Sequence, residues 1–200
     1  MTRPASVRLP ASDFRRTPWK NGGGVTIDIA DRYRAGAEPG SWAGMVWRFG
    51  RTAIVEPAPF SDLSGYDRII VVVGGRGLVL RRDDGQSIDV RTPYAPVRFG
   101  GGWPIRSELE AGPVEVLNLI GDARTTRLDL QILRAGEDIG LGIGEIVAYA
   151  PGEACTLMVS ESSVEIPGGD AVRLGGDQPL RLSCERGTVA IAWVGGPSDI

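Results

Sequence analysis

The sequence predicts an all-β fold made of two small jelly-roll units. Three observations carry this. Strand-like segments recur about every ten residues. Glycine (29) and proline (14) are plentiful between them. No amphipathic stretch extends beyond two helical turns. A chain of 200 residues suits one ordinary domain or two small ones.

Taken in order, residues 25–29 alternate apolar and polar side chains, the mark of a half-buried strand. Residues 42–49 are aromatic-rich and carry Arg48 near their end. Residues 68–73 end in the run Ile69-Ile70-Val71-Val72-Val73, which reads as a buried strand. Gly74-Gly75-Arg76-Gly77 turns the chain into 78–82, and Asp83-Asp84-Gly85-Gln86 makes a hairpin into 87–90. Segments 94–99, 105–109 and 114–120 continue the pattern. Beyond them, 128–133, 145–149, 156–159, 163–166, 171–174, 180–183 and 188–194 also read as strands. Glycine pairs at Gly168-Gly169 and Gly175-Gly176 mark turns. So many strands exceed one simple sandwich. The polar, glycine-containing stretch 121–127 is the expected boundary. It gives residues 1–120 as a barrel with a ligand pocket and 121–200 as a degenerate second barrel.

Composition excludes several chemistries. The chain contains no histidine, so a histidine-ligated metal, a Ser-His-Asp triad and a Cys-His dyad are ruled out. Carboxylate-only metal sites stay open. No motif asks for a cofactor. Cys155 and Cys184 have no CxxC spacing and read as reduced, buried thiols of a cytoplasmic protein. Neither a signal peptide nor a run long enough to span a bilayer is expected. Net charge is −3, but residues 1–100 hold 15 basic and 10 acidic side chains, against 7 and 15 in 101–200. The halves can attract one another, or the first can hold an anion site. Nucleic acid is not an expected partner, because there is no basic run interleaved with aromatics. Edge strands on both barrels invite pairing, which leaves a homodimer open.

Candidate site residues fall in four segments. In Thr17-Pro18-Trp19-Lys20-Asn21-Gly22-Gly23-Gly24, the glycines let backbone approach a ligand, Trp19 offers a stacking wall, Lys20 a point charge, and Asn21 a donor and an acceptor. The plain alternative is a glycine-rich turn. Arg48 reads as a surface charge or as an inward grip on a carboxylate. Residues 59–68 are polar, precede the most apolar strand, and carry Phe60, Ser61, Tyr66 and Arg68 at an expected barrel mouth. Asp67 and Arg68 can also simply pair. Asn118, alone in an apolar strand, must satisfy its amide internally or present it to a pocket.

Pro18-Trp19-Lys20-Asn21-Gly22-Gly23-Gly24-Val25-Thr26, Trp47-Arg48, Pro59-Phe60-Ser61, Gly65-Tyr66-Asp67-Arg68, Val73-Gly74-Gly75-Arg76-Gly77-Leu78, Arg98-Phe99-Gly100-Gly101-Gly102-Trp103-Pro104 and Gly112-Pro113-Val114 with Asn118 together resemble the HutD/Ves family in order and spacing. The resemblance covers residues 14–120. It implies a bicupin, two β-barrels in one chain, linked to histidine utilisation or stress response and carrying no established catalytic activity. It also implies a role as binder of pathway carboxylates such as urocanate or formylglutamate. The chain departs from the family pattern at Asp28, where the family carries Glu, and at Val116, where it carries an acid.

Three functions follow. The first is a non-catalytic, metal-free binder of a small anionic metabolite. Lys20, Arg48 and Arg68 would supply charge, Asn21, Ser61 and Asn118 neutral hydrogen bonds, Trp19 and Phe60 apolar walls, and Tyr66 a further contact. The second is a metal-independent enzyme on small carboxylates, with Asp28, Asp67, Lys20 or Tyr66 as base. The third is an accessory factor that docks a partner protein through its charge asymmetry.

Overall fold

The computed structural model describes residues 6–18 and 24–197. Eighteen strands and one turn of 3-10 helix, Ala11–Asp13, account for its regular structure. The strands are Ser6–Leu9 (β1), Arg15–Pro18 (β2), Gly24–Tyr33 (β3), Met45–Ile54 (β4), Tyr66–Gly74 (β5), Leu78–Arg82 (β6), Ser87–Val90 (β7), Val97–Gly100 (β8), Ile105–Leu109 (β9), Val114–Asp122 (β10), Arg127–Arg134 (β11), Asp138–Leu141 (β12), Glu145–Tyr149 (β13), Cys155–Val159 (β14), Ser162–Ile166 (β15), Ala171–Leu174 (β16), Leu180–Arg186 (β17) and Thr188–Gly195 (β18). Every strand pairing is antiparallel. No helix among the described residues is long and apolar enough to cross a membrane.

The chain forms two compact units. Arg15–Thr126 contains a six-stranded sheet, β2-β3-β4-β10-β5-β8, and a three-stranded sheet, β7-β6-β9. Ile54, Ile70, Val72 and Val116 of the larger sheet pack with Leu78, Leu80, Val90 and Ile105 of the smaller one. The other unit joins residues up to Phe14 with those from Arg127 onward. It pairs the sheet β1-β16-β13-β18-β11 with the sheet β12-β17-β14-β15. Its core holds Ile146, Val172 and Ile191 together with Leu157, Leu182 and the free thiols Cys155 and Cys184. Each unit is a two-layered jelly roll, and its two sheets are not joined into one continuous hydrogen-bonded ring. This is the all-β bicupin arrangement the sequence led us to expect.

Residues 6–14 go with the later unit because Ser6–Leu9 pairs with Ala171–Leu174. The sequence reading grouped this segment with residues 1–120. A mostly exposed four-residue strand with only two apolar side chains, Val7 and Leu9, gives little sign of its distant partner. Strand β4 runs later than the expected 42–49, because Gly40 and Gly44 turn the backbone at positive φ (90° and 75°) just before it. Trp42 therefore lies on a loop.

The unbroken apolar run of β5 has a direct cause. Ile70 and Val72 face the core between the sheets, and Ile69 and Val71 on the opposite face are also buried, at 3% and 0% exposure. A strand covered on both sides loses the apolar-polar alternation.

Candidate functional site

The site is built on the three central strands of the six-stranded sheet. Strand register fixes its layout. Asn118 of β10 lies opposite Gly50 of β4 and Ile70 of β5. One pair further along, Ile120 lies between Arg48 and Arg68, and on the other side Val116 lies between Thr52 and Val72. Side chains two residues apart share a face. Arg48, Gly50 and Thr52, then Ile120, Asn118 and Val116, then Arg68 and Ile70 accordingly line one cavity, of about 660 Å³. Trp42, Phe60, Ser61 and Leu63 close it from the loops, and Thr17 and Thr26 from the neighbouring strands.

The two arginines of this floor have opposite environments. Arg48, 8% exposed, donates from Nε and Nη2 to Asp28 Oδ1 and lies 5.1 Å from the Trp42 ring centroid. Asp28 also accepts from Arg15, whose Nη2 reaches Asp31 at 2.6 Å. A bulge in β3 between Asp28 and Ala30 aims this carboxylate along the floor. Burial works against the Arg15 charge, but its bonds to Asp31 and Asp28 outweigh it and raise the guanidinium above its ordinary value. Held between two arginines, Asp28 is poorly placed to act as a base.

Arg68 has no such partner. It is 6% exposed, and among the described residues its buried Nε has no hydrogen-bond acceptor and no carboxylate bonds to it. Its guanidinium lies 4.7 Å from the centroid of Phe60 and 5.2 Å from that of Phe99. Asp67 does not pair with it. The neighbours point to opposite faces of β5, so that alternative from the sequence is not realised. Burial lowers the Arg68 guanidinium to about 10, with no counter-charge to restore it. A second group on the floor is also unsatisfied: Asn118 Oδ1 is buried with no partner among the described residues.

The loop over Arg68 is fixed by the glycine-rich segment after β8. Gly101 accepts from Leu63 N at 3.0 Å and donates to Tyr66 O at 2.8 Å, and Phe60 N donates to Ile105 O at 2.8 Å. A Cβ at Gly101 would come within 2.7 Å of Leu63 O, and one at Gly102 within 2.5 Å of Ser64 Oγ. The Gly-Gly-Gly-Trp motif thus serves the site indirectly, by letting two loops touch.

Of the residues picked out from sequence, Arg48, Phe60, Ser61, Arg68 and Asn118 meet in this cavity. Tyr66 is not in its lining. Its hydroxyl lies 3.2 Å from Trp42 O and 3.1 Å from Met45 O, where it pins the loop that carries Trp42. Trp19, Lys20 and Asn21 lie outside the described residues. Sequence reasoning missed Trp42, Gly50 and Thr52. Period two along β4 points to Gly50 and Thr52 once Arg48 is taken as inward, whereas nothing local singles out Trp42.

The sequence matches the model of the HutD family over residues 11–192. The chain belongs to the HutD family. The match extends past the motif-bearing stretch and into the second unit. A 21.2-kDa protein from the hutC 3′ region of Pseudomonas putida is 32% identical over 176 residues, 87% of this chain and 85% of that protein. Among solved structures, a conserved protein of unknown function from Pseudomonas aeruginosa PAO1 superposes with a TM-score of 0.81 at 25% identity, covering 97% of this chain and all of that one. HutD from Pseudomonas fluorescens SBW25, solved in a formate condition, gives 0.78 at 24% identity, again over 97% of this chain and all of that one.

Proposed function

We propose that the cavity of residues 15–126 binds a small carboxylate metabolite, with Arg68 as its anchor, and that this HutD-family chain serves histidine utilisation by binding rather than turnover. One observation carries the reading: a guanidinium buried on the cavity wall without a counter-ion among the described residues. A buried unpaired charge is costly, and a carboxylate that accepts two parallel bonds from a guanidinium removes the cost. Arg48 is already neutralised by Asp28, so it adds shape and a stacking face with Trp42 more than net charge. Apolar walls at Ile54, Phe60, Leu63, Ile70 and Val116 suit a short carbon skeleton. The histidine-utilisation assignment rests on the family and on the position of the P. putida relative beside hutC.

The test is a calorimetric and thermal-shift titration against urocanate, formylglutamate, formiminoglutamate and formate, with product formation followed in parallel. A ligand at a hundredfold excess over Kd stabilises the fold by about 2.7 kcal/mol. Saturable binding weakened at least about a hundredfold by Arg68→Gln supports the reading. Binding that survives this change, or product beyond one equivalent per protein, overturns it.

A further inference from the structure

We propose that Asn118 makes the cavity selective for carboxylates that also carry an N–H or O–H donor, so that its occupant is an N-acyl amino acid, a hydroxy acid or a chemically similar molecule rather than a plain carboxylate. This rests on the anion-binding reading above and adds the second half of the ligand.

Asn118 stands in the middle strand of the floor. It is the centre of the floor, flanked along its own strand by Val116 and Ile120 and across the sheet by Gly50 and Ile70. None of these four side chains can hydrogen bond. None of the polar side chains at the diagonal positions donates to Asn118 Oδ1. Arg48 is bonded to Asp28, and Thr52 Oγ1 lies 3.3 Å from Thr26 Oγ1. Arg68 lies against the Phe60 and Phe99 rings and makes no bond to the Asn118 oxygen. Among the described residues, the buried Asn118 Oδ1 consequently has no partner. Such an atom is costly in a folded protein and points to a missing donor.

No described residue supplies that donor, which leaves the cavity to supply it. Gly50, directly opposite Asn118, contributes no side chain, so the space above the amide stays open. Gly50 has little freedom to be anything else, because a Cβ there would meet Ile27 O at 2.8 Å. Asn118 and Arg68 stand on neighbouring strands at diagonal positions, about 7–8 Å apart at the backbone. A molecule of a few heavy atoms can place a carboxylate on one and a donor on the other. A site built to pair an N–H or O–H rejects an analogue lacking it far more strongly than an apolar pocket rejects a missing methylene.

Two nearly isosteric pairs of probes test this by calorimetry on the full chain. N-acetylglycine carries an N–H where levulinate carries a methylene. 3-Hydroxybutyrate carries a hydroxyl where 3-methylbutyrate carries a methyl. The expected result is that the donor-bearing member of each pair binds at least about tenfold tighter. In Asn118→Leu the two members should become equal within about twofold, while Arg68→Gln should abolish all four. If both members bind wild type equally, and both are lost in Arg68→Gln, the role of Asn118 is overturned and the carboxylate reading stands. If none of the four binds at millimolar concentration, both fall. The wild-type comparison decides the matter even if Asn118→Leu does not fold.

Discussion

Replacing Arg68 with methionine should make the unliganded protein more stable while destroying the site. Burial lowers the guanidinium from its ordinary value to about 10, with no opposing charge among the described residues. At about 1.36 kcal/mol per pH unit, that displacement means roughly 3 kcal/mol to keep the charge where it is. Contact with the Phe60 and Phe99 rings returns on the order of 1 kcal/mol, which methionine also partly recovers through its own packing. The net gain should be about 1–2 kcal/mol, or a melting temperature higher by several degrees, since 1 kcal/mol is worth about 2–4 °C at this size. Urea denaturation in a buffer free of organic anions measures it. The pH dependence has a fixed sign. Because the folded-state value is lowered, the penalty is fully present below about 10 and fades only as pH rises from there towards the ordinary arginine value. The difference between variant and wild type should thus be flat from about pH 6 to 9. If Arg68→Met destabilises the unliganded protein, Arg68 has a partner that satisfies it and the anion-site argument fails.

Three further outcomes follow from the same geometry. Asp28→Asn strips Arg15 and Arg48 of their shared acceptor, and loss of one member of a buried ionic cluster should cost about 3–5 kcal/mol by urea denaturation. Gly101→Ala pushes a methyl group against the Leu63 and Tyr66 carbonyls. It should cost about 1–3 kcal/mol and weaken carboxylate binding, because Phe60 and Ser61 ride on the displaced loop. Burial pushes the Cys155 thiol up to about 11 and the Cys184 thiol upward as well. Iodoacetamide at pH 8 should therefore label neither in the folded protein and both in denaturant, and rapid labelling of the native state would contradict the packed second core.

The β architecture was legible because turn residues and apolar runs are local signals. The run at 69–73 named the central strand. What the sequence could not show was register. Arg48, Asn118 and Arg68 are far apart in the chain and become neighbours only because β10 pairs with both β4 and β5. The same limit hid the difference between the arginines: Asp28 reaches Arg48 through a bulge that no pattern of residue types announces. Tyr66 was grouped with the ligand contacts because it sits in the right segment. At the start of β5 its ring packs with Met45, Leu63 and Ile120, and its hydroxyl turns to the Trp42 loop.

The contrast between Arg48 and Arg68 follows from their outer neighbours. On one flank of the floor, β3 runs beside β4 and sets Asp31 opposite Arg48, with Asp28 close by. On the other flank, β8 runs beside β5 and sets Phe99 opposite Arg68. One cation meets acids and the other meets an aromatic ring, so only one is left for a ligand to neutralise. If that is the origin of the site, supplying an acid on the second flank should close it. Phe60→Glu is the suitable change, since residue 60 is half-buried on a loop and its ring already covers the Arg68 guanidinium at 4.7 Å. A glutamate there should pair with Arg68 and return its guanidinium towards its ordinary value. Loss of the Phe60 packing on Phe99 is offset by the new ion pair, so the change in stability should stay within about 1–2 kcal/mol. Carboxylate binding should nevertheless fall as far as in Arg68→Gln, although Arg68 is still present. Wild-type affinity in Phe60→Glu, measured by the same calorimetric titration, would mean that the ligand's negative charge is held elsewhere.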